Sequence, residues 1–151
     1  MNQTDPNATF AHSSPLEQWW ERFKRHAGPS YADKNPARNY LNCPSGIPGL
    51  SFNYGATQGG CFAELYIKPT AHGSSEATFD NLRAHRDDIE KAFGEKLIWD
   101  RMEGFPTCRI RFANRGGYAS PREHWFEIQT GIVGAMDRLQ KALGPYLREL
   151  R

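Results

Sequence analysis

The stretch from Phe79 to Phe112 constrains the fold more than any other part of the chain. It reads FDNLRAHRDDIEKAFGEKLIWDR, then a short break, then CRIRF. An amphipathic helical pattern stops at Gly94, the residue type best suited to the left-handed position just past a helix. A strand carrying Trp99 follows. A second strand, Thr107–Phe112, alternates apolar residues with Arg109 and Arg111. The tight Glu103-Gly104-Phe105-Pro106 turn between the two strands implies that they pair as a hairpin.

The flanking segments extend this plan. Ser14-Pro15-Leu16-Glu17 is a capping box, in which the Ser hydroxyl and the Glu carboxylate satisfy each other's backbone amides. Leu16, Trp19, Trp20, Phe23 and Ala27 then form one apolar stripe. Gly28-Pro29 ends the helix, and Glu21 and Arg25 are spaced to pair on its wet side. Tyr40–Cys43 reads as a short strand. In Leu50–Tyr54, Leu50, Phe52 and Tyr54 alternate with Ser51 and Asn53. After a Gly55–Gly60 turn, Cys61, Ala63, Leu65 and Ile67 share one face of a strand, and Phe62, Glu64, Tyr66 and Lys68 share the other.

A second helix is expected over Ser75–Phe93, with Phe79, Leu82, Ile89 and Phe93 buried. A third opens at another capping box, Ser120-Pro121-Arg122-Glu123. Its stripe is Trp125, Ile128, Ile132, Met136, Leu139 and Leu143, with a kink or restart at Gly144-Pro145. The expectation is an α+β fold in the order α-β-β-β-α-β-β-α. Its sheet is mainly antiparallel, with about five strands, and three helices pack on one side. Residues 1–13 read as a mobile tail and 14–151 as a single domain.

Composition narrows the function classes. The 151 residues are 38% hydrophobic, enough for a real core, and the net charge is only +2. That balance argues for neither a strongly basic nucleic-acid binder nor an acidic mimic. The cations are biased, with 13 Arg against 6 Lys. No apolar run approaches the roughly 20 residues that span a bilayer, and the polar N-terminus lacks the pattern of a secretory signal. Cys43, Cys61 and Cys108 are too few and too far apart for a zinc ribbon or a disulfide scaffold. Cys61 and Cys108 read as small core residues, and a cytoplasmic location is expected. The five histidines show no metal-binding spacing, and the glycine pairs are too short for a phosphate loop. No metal and no cofactor are expected.

The best functional candidate is the second face of the sheet. If the apolar positions face the helices, then Tyr66, Lys68, Arg109 and Arg111 point away from them. Aromatic and cationic side chains interleaved on an open sheet suit nucleic-acid bases and phosphates. The plainer alternative is a solvated face, or one covered by the third helix. A divalent-metal nuclease would use Glu64 and Lys68 with Asp100, although the usual Glu-x-Lys spacing is absent. A self-associating protein would use an exposed face of the helices around Trp20, or the sheet face.

The set Glu64-Leu65-Tyr66-Ile67, Phe79, Leu82, Ile89-Glu90, Gly94, Trp99, Arg109-Ile110 and Trp125, within about Leu16 to Leu150, resembles a bacterial family of domains of unknown function. Members of that family often follow a restriction-endonuclease-like nuclease domain. The resemblance implies a non-catalytic accessory or binding role, toward nucleic acid or a nuclease-type protein. It carries over no catalytic residue. No nuclease domain lies within these 151 residues, so a free-standing accessory domain is the expectation.

Overall fold

The computed structural model describes residues 14–27, 39–71 and 73–150. The expected tail over 1–13 and the helix stop at Gly28-Pro29 lie outside the described residues.

Helix α1, Pro15–Ala27, opens on the expected capping box. The Glu17 amide donates to Ser14 Oγ at 3.1 Å, and the Ser14 amide donates to Glu17 Oε1 at 3.1 Å. Glu21 pairs with Lys24 at 3.7 Å instead of with Arg25. Five strands follow along the chain: β1 Tyr40–Pro44, β2 Leu50–Ala56, β3 Gly60–Ile67, β4 Ile98–Asp100 and β5 Cys108–Arg115. They form one sheet in the order β1-β2-β3-β5-β4, antiparallel throughout. The inner strands β3 and β5 bring Leu65 opposite Ile110 and Glu64 opposite Arg111.

The expected second helix is two: α2, Ser75–Arg83, and α3, Arg86–Phe93. Phe79, Leu82, Ile89 and Phe93 are all buried as expected. In one continuous helix the next position of that stripe after Leu82 would be Arg86. A break at Ala84-His85, closed by a short His85 amide bond to the Leu82 carbonyl, lets Arg86 stay exposed.

Helix α4, Trp125–Arg148, also differs at both ends from expectation. A single 3₁₀ turn, Arg122–His124, precedes it without a side-chain cap. Ser120 Oγ accepts the Gly117 amide instead, and the Ser120 carbonyl accepts the Trp125 indole N–H. The second capping box therefore does not form, because Ser120 is used to hold the preceding turn. At the other end α4 continues through Pro145 without a restart. Buried Leu143 and Leu147 on either side anchor that turn, while the proline forfeits one backbone bond. The described helices number four, in the order α-β-β-β-α-α-β-β-α.

All four helices pack on one sheet face. Phe23 of α1 meets Tyr54 at 4.6 Å, Phe79 of α2 meets Trp99 at 6.1 Å, and Phe93 of α3 meets Phe112 at 5.3 Å. Arg138 of α4 lies over the Phe93 and Phe112 rings. Helix α1 packs beside α4, with Trp19 against Trp125 at 5.2 Å. Both adjacent tryptophans are thereby covered, and Trp20 is 1% exposed. The idea of Trp20 as a self-association surface is overturned by that burial. Cys61 and Cys108 are buried in the core, and burial pushes the Cys61 thiol up to about 12, an inert group. No helix among the described residues is long and apolar enough to cross a membrane.

One carboxylate ties the α3 end to the β4 strand. Glu90 Oε2 accepts the Leu97 amide at 2.7 Å and the Trp99 indole N–H at 3.1 Å. Partial burial would raise this carboxyl, but the two donors outweigh it and hold the group below its ordinary value. A depressed folded-state pKa stabilises above the unfolded value and is lost as pH falls through the folded one. The melting-temperature gap between wild type and Glu90→Gln should therefore be widest near neutral pH and close as pH falls below the ordinary carboxylate range. Thermal melts across pH measure it, and a pH-independent gap would contradict the assignment.

Candidate functional site

The sheet face that carries no helix among the described residues is built in three cross-strand rows, because antiparallel register places alternate residues side by side. The middle row runs Asn42, Asn53, Glu64, Arg111 across β1, β2, β3 and β5. Its members are hydrogen-bonded in sequence: Asn42 Nδ2 to Asn53 Oδ1 at 3.0 Å, Asn53 Nδ2 to Glu64 Oε2 at 3.2 Å, and Arg111 Nη2 to Glu64 Oε1 at 3.0 Å. Glu64 is 4% exposed and Asn53 5%. Burial lowers the Arg111 guanidinium's pKa from its ordinary value, and the Glu64 carboxylate opposes that effect.

The second row runs Ser51, Tyr66, Arg109, Asp100. Arg109 Nη2 donates to Asp100 Oδ2 at 3.2 Å. The third row brings Tyr40, Gly55, Phe62 and Ala113 together. Gly55 has a packing reason. A Cβ there would stand 1.9 Å from Phe62 Cζ, so only glycine lets the ring lie down across β2. The Arg111 guanidinium then stacks over that ring, 3.8 Å from its centre.

These rows enclose a concavity of about 300 Å³. Asn42, Asn53 and Glu64 line it centrally, Tyr40 and Phe62 on one side, and Tyr66, Lys68 and Arg109 on the other. Tyr40 is 37% exposed. The chemistry on offer is amide and carboxylate hydrogen bonding between aromatic walls. Charge is largely cancelled within the face, since Glu64 answers Arg111 and Asp100 answers Arg109. Lys68 is the lining cation without a carboxylate partner among the described residues.

Of the sequence candidates, Tyr66, Lys68 and Arg109 come together around this concavity. Arg111 shares the face but is bound to Glu64 and stacked on Phe62. The trio Glu64, Lys68 and Asp100 does not converge on one point. Glu64 and Asp100 lie in different rows with β5 between their strands, each held by its own arginine. Among the described residues no group of three His, Cys, Asp or Glu could hold a metal ion. Sequence reasoning missed Asn39, Tyr40, Asn42 and Asn53. Asn53 carried a signal, since it alternates with Phe52 and Tyr54, but the β1–β2 pairing was needed to place the others beside it.

The fold and this face define a class: a small α+β domain with a five-stranded antiparallel sheet, helices on one side and a polar, aromatic concavity on the other. Residues 17–147 match DUF4268, a domain of unknown function, and the chain belongs to that family. No curated protein matches it. Among solved structures it is weakly similar to YbjN of E. coli, described as a candidate transcription regulator. The identity is 13% and the TM-score 0.42, over 87% of this chain and 90% of that one.

Proposed function

We propose that this domain is a non-catalytic binding module that holds a protein partner on the helix-free face of its sheet. The observation that carries the reading is the internal charge compensation of that face. A nucleic-acid surface gains most of its affinity from cations free to neutralise phosphates. Here both central arginines are engaged by carboxylates of the same face. Tyrosine, arginine and hydrogen-bonding amides around a shallow hollow are the composition of protein interfaces. In this reading Tyr66 and Tyr40 supply contact area, Lys68 and Arg109 flank it, and the Asn42–Asn53–Glu64–Arg111 row keeps it rigid. The nuclease-type protein implied by the family resemblance is the first partner class to try.

The test places a photo-crosslinking phenylalanine at position 66 and, as control, at Lys141 on the exposed side of α4. A discrete protein crosslinked from 66 but not from 141 is expected. Its affinity, measured with purified components, should weaken about tenfold or more on Tyr66→Ala. The proposal fails if crosslinking is equal at both positions. It also fails if single-stranded DNA binds at low salt with a log–log salt slope steeper than about −2, the mark of several released counterions.

A further inference from the structure

A second concavity, of about 290 Å³, lies in the helical layer where α1 ends beside the start of α4. It is lined by Arg22, Arg25, His26 and Phe126, and its walls are mainly apolar. Phe126 follows buried Trp125 and so falls about 100° around the helix from it, off the packed stripe. It is 70% exposed, a large apolar side chain that the domain's own core does not use. The His26 ring stands 4.7 Å from it, and partial burial lowers the imidazole's pKa, leaving this wall uncharged at neutral pH.

The cations here are in a different state from those on the sheet. Arg22 lies over the Trp125 ring at 5.1 Å and donates to the Arg122 carbonyl at 3.3 Å. Arg122 lies over the same ring at 4.4 Å. Arg25 has lost its expected partner, since Glu21 pairs with Lys24. Among the described residues none of these three guanidinium groups meets a carboxylate. The sheet face neutralises its arginines, whereas this cluster leaves them for an outside anion.

We infer that this cluster is a second binding site, for an acidic peptide segment that carries an apolar side chain. The apolar side chain packs against Phe126 and His26, and the neighbouring carboxylates meet Arg25 and Arg22 through charge-assisted hydrogen bonds. A peptide fits better than a nucleic acid. The lining between the arginines is mainly apolar and ends on exposed Phe126, which suits an aliphatic or aromatic side chain more than a sugar-phosphate backbone.

Fluorescence anisotropy with a labelled Glu-Asp-Leu-Phe-Asp-Glu peptide tests this. Comparison probes are Lys-Lys-Leu-Phe-Lys-Lys, Glu-Asp-Gly-Gly-Asp-Glu and a short oligothymidylate. The acidic peptide with Leu-Phe should bind most tightly. Arg25→Glu combined with Phe126→Ser should weaken it about tenfold, while this double variant melts like wild type because each side chain is exposed. Tyr66→Ala should leave it unchanged, which separates this site from the sheet face. Failure of that peptide to bind, equal affinity for the double variant, or tighter binding of the glycine peptide or the oligothymidylate would each overturn the inference.

Discussion

Glu64→Ala is expected to cost about 3–5 kcal/mol of folding stability, the range for breaking a buried ion pair from one side. The carboxylate is nearly inaccessible and accepts from both Arg111 and Asn53. Its removal strands the Arg111 guanidinium, whose side chain is 18% exposed and whose Nε already lacks a partner. A melting point lower by on the order of 10 °C should accompany the loss in a domain of this size. Replacing both partners by methionine should restore most of the stability, because the cost lies in the orphaned charge and not in the missing attraction. Chemical denaturation of the two single variants and the double variant measures this. A loss under about 1 kcal/mol for Glu64→Ala would place the pair among solvated surface contacts instead.

Gly117→Ala should be nearly as damaging, at about 3 kcal/mol, the upper end for overpacking. A Cβ at 117 would stand 2.1 Å from the Thr57 carbonyl oxygen, 2.7 Å from the Gly60 nitrogen and 2.8 Å from the Gln58 carbonyl oxygen. All three are backbone atoms of the β2–β3 turn, and that turn is itself bonded to this segment. Gly116, Tyr118 and Ala119 amides donate to Gly59, Thr57 and Gln58 carbonyls at 3.0, 3.1 and 2.9 Å. Nothing there can move aside without breaking those bonds. Gly134, exposed in the middle of α4 with nothing within 4 Å of its missing Cβ, is the control. Gly134→Ala should stabilise by about 0.5–1 kcal/mol through helix propensity alone. Equal effects at 117 and 134 in urea denaturation would refute the contact argument.

The strands were legible because their period is two. Cys61 to Ile67 and Cys108 to Phe112 sort into buried and outward residues by alternation, and the core follows that sorting. The ends of the helices were less legible, because rival local bonds decide them. Ser120 could cap a helix or close the Gly117 turn, and both options look alike in the sequence. The break at His85 depends on whether Arg86 can be kept out of the core, which a hydrophobic stripe leaves open. At the candidate site, alternation put Tyr66, Lys68, Arg109 and Arg111 on one face. It could not show that Glu64 faces Arg111 and Asp100 faces Arg109, because facing depends on register between separate strands. That register turns a face expected to be cationic into one whose charges largely cancel.

The strand order also says how the domain comes apart. β1, β2 and β3 are neighbours along the chain and pair through short turns, as do β4 and β5. The sheet is thus two separately made pieces joined by a single seam between β3 and β5. The Glu64–Arg111 bond across that seam closes a loop of 47 residues, and the Gln129 bond to the Trp19 carbonyl closes one of 110. Such long closures carry the larger loop-closure entropy and slow folding. The concavity lies on the meander side of the seam, and its Arg109 wall lies on the hairpin side. Whatever opens the seam therefore carries Arg109 away from the rest of the proposed docking face.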